Sequence, residues 1–323
     1  MNKLKKENGM FIIDRPVSHG LKYYAKYSIL IVLDIFYKIL LLFTYKKSPN
    51  KKYNISICAI FKNEANYMKE WIEFHQMMGV DHFYLYNNNS EDDYFSVLSQ
   101  YIDKGIVTLV EWPEVPGQLT AYKNWYERYR FETKWVSFLD LDEFICPLKD
   151  CSIDSWLLNF NKYPVVKMYW QMFGTSGILA NDDNKLITEQ YLNCWGKLDT
   201  VGKVFYNTEY PIDCFSRPMM HGFSVRHLGF KIPPINQFGY FVKWDIQRFN
   251  HKERTIQVNH YWARGFKSYE DKHKRGSAAY GASWKTFDKF QWHEHFNTSS
   301  NYAIVRFITE LKLRMNGNYP IND

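Results

Sequence analysis

Cysteine is scarce in this chain of 323 residues, and the five present (Cys58, Cys146, Cys151, Cys194 and Cys214) show no CxxC or CxxH spacing. An odd, scattered set of that kind argues against a disulfide framework and against a zinc site. Internal repeats and low-complexity tracts are missing too, and a hydrophobic content of 46% sets disorder aside. Residues 53–323 lack any excess of one charge, with 30 Lys/Arg against 31 Asp/Glu. A nucleic-acid-binding domain carries its positive charge on the folded body, so no nucleic-acid partner is expected. The formal charge of +7 comes from residues 1–52, which hold 11 basic and 3 acidic side chains.

An unbroken apolar run of membrane length is also absent. The longest candidate, 27–45, is interrupted by Asp34 and Lys38. Each charge at a bilayer centre costs about 2.5–3.5 kcal/mol, although an i,i+4 pair partly neutralises itself. Lys22, Lys26, Lys46, Lys47, Lys51 and Lys52 bracket the run on both sides. That pattern predicts an amphipathic helix lying on an anionic membrane surface, with a true span or an ordinary core helix as the alternatives. No small-residue cleavage site follows it, so it does not read as a secretory signal. The expected domain plan is therefore a membrane-associating leader, 1–52, and one body, 53–323, whose halves are 53–147 and 148–323.

Aromatics, by contrast, are abundant: 24 Phe, 25 Tyr and 11 Trp make 19% of the chain. Such a supply serves either an aromatic-rich core or a surface on which flat, hydroxyl-bearing ligands stack. From residue 53 short apolar runs alternate with helical periodicity. An apolar run at 55–61 precedes Tyr67, Trp71, Phe74 and Met78, which recur at i, i+4, i+7 and i+11. Further strands are expected at 82–86, 106–112 and 135–139, and further helices at 94–102 and 118–131. Strand, helix, strand at this repeat predicts an α/β fold with a mostly parallel, Rossmann-like sheet, whose ligands bind at the carboxyl ends of the strands. Beyond Pro147 the texture turns to mixed sheet, with β-rich stretches at 165–170, 186–192, 203–206, 223–227 and 255–262. A closing helix is expected at 302–315.

Asp140-Leu141-Asp142-Glu143 directly follows the fourth expected strand. Two carboxylates two residues apart emerge on the same side at the sheet edge, where hard oxygen ligands suit Mn²⁺ or Mg²⁺ and the metal can bridge a diphosphate. The plain competitor is an acidic turn that caps the next helix.

The segments CAIFKNEANYMKEWIEFHQMMGVDHFYLYNNNSEDD (58–92), GIVTLVEWPEVPGQLTAY (105–122) and KWVSFLDLDEFICP (134–147) together resemble glycosyltransferase family 92, its bacterial members in particular. The likeness continues more loosely through WQMFGTSG, LITEQY, GKVF, HGF and VNHYWARGFKSYEDKHKRG, and covers roughly 54–280. The resemblance implies a GT-A fold, a UDP-sugar donor (a hexose, often galactose), a divalent cation and inversion at the anomeric carbon. It implies further that Asp140 and Asp142 form the DxD pair, Asp142 on the metal and Asp140 nearer the ribose. Lys62, Asn63 and Glu64, with Asn87 and Gln118, then line the nucleotide pocket. Caps and helix openers are their structural competitors. His260, in VNHYW, is the first choice for a late metal ligand and His221 the second. Arg264 and Lys267, in a basic stretch at 248–275, are placed to neutralise the leaving diphosphate. Glu189 is the expected general base, with Asp182 and Asp183 as alternatives. One departure stands out: the family's loop often reads GSSGH, whereas this chain has Gly174-Thr175-Ser176-Gly177-Ile178 and loses the histidine.

The expected function is thus a metal-dependent glycosyltransferase passing a hexose from a UDP-sugar to a hydroxyl of a glycan or lipid-linked glycan acceptor. A Lys-, Asn-, Ile- and Tyr-rich composition suggests surface polysaccharide or lipopolysaccharide synthesis at the cytoplasmic face of a bacterial inner membrane. A non-catalytic nucleotide-sugar or glycan binder on the same fold is the alternative. Reaction stereochemistry does not follow from DxD alone, so retention stays open.

Overall fold

The structure is a computed structural model, and it describes residues 12–13, 20–44, 50–215, 221–244, 246, 248, 254–276 and 286–317. The expected α/β architecture is present. Strand β1 (Tyr53–Phe61) leads through helix α2 (Ala65–Met77) to β2 (His82–Asn87), α3 (Tyr94–Asp103), β3 (Val107–Glu111), α4 (Gln118–Tyr129) and β4 (Thr133–Phe138). Preceding them is α1 (Leu21–Thr44). After β4 come β5 (Glu143–Pro147), α5 (Ile153–Leu157), β6 (Val165–Met172), α6 (Ile187–Gln190), β7 (Gly202–Asn207), β8 (Val225–His227), β9 (Phe230–Ile232) and β10 (Ile235–Asn236). The chain then runs through β11 (Ile256–His260), α7 (Phe266–Arg275), α8 (Phe287–His295) and α9 (Ile308–Met315).

Among the described residues the main sheet has nine strands, in the order β3-β2-β1-β4-β7-β6-β11-β5, with β10 added beside β6. The pairs β3/β2, β2/β1 and β1/β4 are parallel. Strand β7 then inserts antiparallel to both β4 and β6, which makes the second half mixed. The strand order reverses between β1 and β4, and this is the switch point where doubly wound sheets open a crevice for ligands. Because β7 runs the other way, its first residues lie at the same sheet edge as the last residues of β4.

Burial explains the pattern. Strand β1 is central, and its residues from Ile55 to Phe61 are all buried, so it reads as a continuous apolar run. Helix α2 turns Met68, Trp71, Ile72, Phe74 and His75 inward. The Trp71 indole donates to the Glu143 carbonyl at 2.8 Å. His75 accepts the Ile145 N–H at 3.2 Å, and burial pushes its pKa down to about 3, so the ring stays neutral. These two side chains anchor β5 directly behind the DxD turn. Aromatic abundance is largely spent in the core: Trp71, Trp125, Trp135 and Trp156 are fully buried. Buried tyrosines find partners for their hydroxyls, Tyr84 on Glu132 at 2.7 Å and Tyr86 on Asn124 at 3.0 Å.

Two expectations fail in the second half. Residues 186–192, read as β-rich, contain helix α6. The cause is a tertiary cap: the buried Glu70 carboxylate accepts the N–H groups of Ile187 and Thr188 at 2.8 and 3.0 Å and the Thr188 hydroxyl at 2.7 Å. The closing helix also starts late, with a 3₁₀ turn at Val305–Phe307 before α9.

Helix α1 packs one face onto the body. Leu30, Tyr37 and Leu41 are buried there together with Asp34. Asp34 accepts the Phe241 N–H at 3.0 Å and pairs with Arg248 at 2.6 Å and Lys38 at 2.8 Å. Burial raises the Asp34 pKa, and the Lys38 and Phe241 hydrogen bonds with the Arg248 charge overcome it, leaving the net shift downward. The two charges that break the apolar run are therefore partners in an ion-pair network. Among the described residues no helix is long and apolar enough to cross a membrane.

Candidate active site

The candidate residues meet at the carboxyl edge of β1 and β4. Asp140 and Asp142 follow β4 in a turn whose Glu143 N–H returns to the Asp140 carbonyl at 3.1 Å. Asp140 accepts Gln118 Nε2 at 3.2 Å on one oxygen and Lys203 Nζ at 2.8 Å on the other. Lys203, the second residue of β7, is completely buried and reaches Glu143 as well, at 3.2 Å. Burial alone would lower the Lys203 pKa, but Asp140 and Glu143 hold it above the ordinary lysine value. Glu143 is fully buried, and burial together with the neighbouring Asp140 and Asp142 charges pushes its pKa well up, despite Lys203. Between Glu143 and Asp142, Glu143 takes up a proton more easily.

Asp142 lies deeper. One oxygen meets Lys272 Nζ at 2.6 Å, and the other is 3.5 Å from His260 Nε2. Burial raises its pKa, yet Lys272, His260 and Arg264 bring it well below the usual carboxylate range. His260 ends β11, buried, with Trp170 packed 4.6 Å from its ring. Burial lowers the His260 pKa against the pull of Asp142, so the imidazole is neutral near pH 7 and keeps a lone pair. Its Nδ1 is buried without a hydrogen bond, as is Glu143 Oε1, and the two stand 4.0 Å apart.

A second acid sits across the crevice. Glu64 follows β1 and accepts Arg264 at 2.5 Å and Arg275 at 2.8 Å. Burial raises its pKa, and Arg264, Arg275 and Lys272 override that and carry it down to about 2. Arg264 enters with φ of 51° ahead of Gly265 at φ 87°, a left-handed pair that turns the guanidinium inward before α7 begins. A Cβ on Gly265 would also meet the Tyr191 hydroxyl at 2.9 Å. The guanidinium lies 4.1 Å over the Tyr67 ring. Its Nε and Nη2 are buried without hydrogen-bond partners, so donors remain for an anion.

The remaining candidates are placed differently. Asn87 is committed within the protein, donating to Tyr94 and Glu111 at 2.9 and 2.7 Å and accepting from Ser90 at 2.9 Å. Asn63, at φ 51°, accepts the Glu91 N–H at 2.7 Å and so ties the end of β1 to the next loop. The Lys62 carbonyl accepts Arg275. Lys267 is exposed on α7. His221 donates from Nδ1 to the Gly202 carbonyl, 3.1 Å away, and packs on Trp170; burial and Lys203 lower its pKa to about 4. Glu189 pairs with Lys312 at 2.7 Å and lines a cleft of about 470 Å³ with Ile178, Ala180, Asp182, Lys185 and Gln190. The cleft wall is joined to α7, because Phe266 and Lys267 donate to the Ile178 and Leu179 carbonyls at 3.3 and 2.9 Å. Sequence reasoning did not single out Lys203 or Glu143. The available signal was their place in GKVF and DLDEF, and it said nothing of their contact.

Among the described residues no three His, Cys, Asp or Glu side chains converge to hold a metal by themselves. The donor chemistry still fits a hard divalent ion that is completed by substrate. Asp142 Oδ1 and neutral His260 Nε2, 3.5 Å apart, can be neighbouring ligands of one ion at bonds of about 2.1 Å.

The family profile of glycosyltransferase family 92 matches residues 51–307. The chain belongs to glycosyltransferase family 92. A family 92 protein of Ricinus communis is 26% identical over 255 residues, 75% of this chain and 41% of the relative. Galactan beta-1,4-galactosyltransferase GALS3 of Arabidopsis thaliana is 32% identical over 127 residues, 35% of this chain and 25% of the relative. The chain thus spans well under half the length of these plant relatives. Among solved structures, S. aureus TarS 1-349 in complex with UDP overlaps at a TM-score of 0.33 and 11% identity, over 52% of this chain and 53% of that one. Overlap that slight carries no argument about the site.

Proposed function

We propose that this family 92 protein transfers a hexose from a UDP-sugar to a hydroxyl of a glycan or lipid-linked glycan acceptor. The observation that carries the reading is the charge arrangement at the switch point. Asp142 and neutral His260 face one another across 3.5 Å, beside buried Arg264, which has two donors to spare. Asp142 and His260 would hold Mn²⁺ or Mg²⁺, which supplies positive charge to the diphosphate oxygens of the donor. Arg264 donates its free N–H groups to the same anion, and Lys272 gives up Asp142 as the site fills. Asp140, held by Gln118 and Lys203, is placed for the ribose hydroxyls.

Glu189 remains the proposed general base for an inverting transfer, supported by its position on the cleft that abuts α7. There it would take the acceptor proton while the hydroxyl oxygen attacks the anomeric carbon and the bond from that carbon to the diphosphate oxygen breaks, UDP leaving with the electron pair. A galactosyl donor is supported by the galactosyltransferase name of the Arabidopsis relative. Peripheral attachment to the cytoplasmic face of a bacterial inner membrane, in surface polysaccharide or lipopolysaccharide synthesis, is supported by the basic charge of residues 1–52 and the helix within them. The test is a thermal-shift and transfer panel of UDP-hexoses with and without Mn²⁺. The intact chain should be stabilised by one donor only with the metal, as binding to the folded state requires, and Asp142→Ala should abolish both stabilisation and transfer. Full transfer by Asp142→Ala in EDTA would sink the metal reading.

A further inference from the structure

The outward face of α1 is apolar from Ile29 to Leu42. Every exposed position in that stretch is hydrophobic: Ile29, Ile31, Val32, Ile35, Phe36, Ile39 and Leu42. An amphipathic helix normally turns its polar side to water; here the body takes Leu30, Asp34, Tyr37 and Leu41, and the other apolar face is left outside. The only acid on the helix, Asp34, is buried in its ion pairs, so the exposed charge is lysine, Lys22 and in part Lys26 and Lys38.

A second element joins this face. The β8/β9 hairpin brings Phe230 to 5.2 Å from Phe36, edge to face. Its two-residue turn has Leu228 at φ 47° and Gly229 at φ 82°, both left-handed. Such turns favour Asn or Gly first, because a larger side chain is strained there. This chain places a leucine at that position with 61% of its surface exposed. Arg226 and Lys231 flank the tip with side chains 66% and 62% exposed, although each also touches Asp213.

We infer that α1 and the Leu228–Phe230 hairpin form one docking surface for an anionic lipid bilayer, with the helix lying in the interface and the hairpin tip inserting beside it. The inference deepens the peripheral attachment proposed above and rests on it. Charge selects the occupant: apolar side chains rimmed by cations, in a leader with 11 basic and 3 acidic residues, match an acyl layer beneath anionic headgroups. Clamping by Asp34 and Arg248 fixes the helix to the body, so binding through this surface sets the orientation of the catalytic edge.

The experiment is flotation of the full chain with vesicles of phosphatidylcholine alone or with phosphatidylglycerol, in parallel with gel filtration. The wild type should float with the anionic vesicles. Ile35→Glu with Ile39→Glu, both on the exposed face, should reduce partitioning at least about tenfold, and Leu228→Asn about threefold or more. Leu228→Asn suits the left-handed turn, so its melting temperature should stay at or above that of the wild type, and donor-induced stabilisation should be unchanged in both variants. Flotation by the wild type that neither variant weakens overturns the inference, as does a loss confined to the helix variant. A wild type that ignores vesicles but elutes as a dimer split by Ile35→Glu with Ile39→Glu gives the face to a second copy. No flotation at all removes the membrane attachment itself, while the donor thermal shift, read without vesicles, reports separately on the transferase reading.

Discussion

Replacing Lys203 with methionine probes the balance of charge beneath the DxD turn. The ammonium has no exposure to water, and it holds Asp140 at 2.8 Å and Glu143 at 3.2 Å. Methionine nearly conserves volume, so the cavity contribution is small. Asp140 keeps 35% of its side chain in water and retains Gln118, so it tolerates the loss. Glu143 has no exposure, and of its hydrogen bonds only the Asp140 N–H at 3.1 Å remains. Removing one partner of a buried pair costs about 3–5 kcal/mol. The carboxyl can limit that cost by taking a proton, at about 1.4 kcal/mol per pH unit above an unfolded pKa near 4.3, or about 3.7 kcal/mol at pH 7. A loss of about 3 kcal/mol at pH 7 is therefore expected.

The sign with pH follows from the same group. A carboxyl whose folded pKa is raised destabilises the fold above its unfolded pKa, and increasingly so as pH rises toward the folded value. The Glu143 pKa is raised in the wild type too, so this slope is common to both proteins and largely cancels in their difference. Stability from the raised Lys203 pKa is fully present below the ordinary lysine value, so the deficit of Lys203→Met should stay near its pH 7 size between pH 5 and pH 8. Unfolding entropy of about 2.1 cal/mol/K per residue over 323 residues converts 3 kcal/mol to about 4–5 °C in Tm. Thermal denaturation followed by circular dichroism at pH 5, 7 and 8 reads the effect. A shift under about 1 °C at all three pH values would refute the reasoning.

Two further substitutions test other parts of the site. Glu64→Gln removes a carboxylate whose pKa falls from 4.5 to about 2, with burial opposing and Arg264, Arg275 and Lys272 prevailing. Its stability is present above about 4.5 and lost as pH falls toward 2, so the variant should be about 3 kcal/mol weaker at pH 7 and should converge with the wild type near pH 2. A constant gap in a pH series of urea melts would count against that pairing. Gly202→Ala puts a Cβ 1.9 Å from the Met168 carbonyl oxygen and forces β6 and β7 apart, so it should lower Tm by the equivalent of about 3 kcal/mol and weaken Lys203 placement with it. A variant that melts like the wild type would mean the two strands are looser than described.

The first four strands and three helices were legible because each unit carries its own period: a buried run, then an apolar stripe, then a turn. The placement of Asp140 and Asp142 at the sheet edge was legible because they follow a strand end. What escaped the sequence depends on partners far along the chain. Strand β5 exists by pairing with β11, where Glu143 opposes His260 and Pro147 opposes Ile256. Helix α6 forms where Glu70 caps it from more than a hundred residues away. The stretch 248–275 could be divided only by geometry: Arg264 and Lys272 turn into the site, while Lys267 faces water. Residues 251–253, which include Lys252 of that stretch, lie outside the described residues.

The insertion of β7 between β4 and β6 has a consequence for how the protein is made. Strand β4 is complete at Phe138, and its far edge is covered only when Asn207 has emerged, about 70 residues later. At about 5–20 residues per second, a hydrophobic parallel sheet waits some 4–14 s on the ribosome with an open hydrogen-bonding edge. Stalled synthesis in that interval releases a half-sheet ready to pair with another copy, and chaperone demand should peak there.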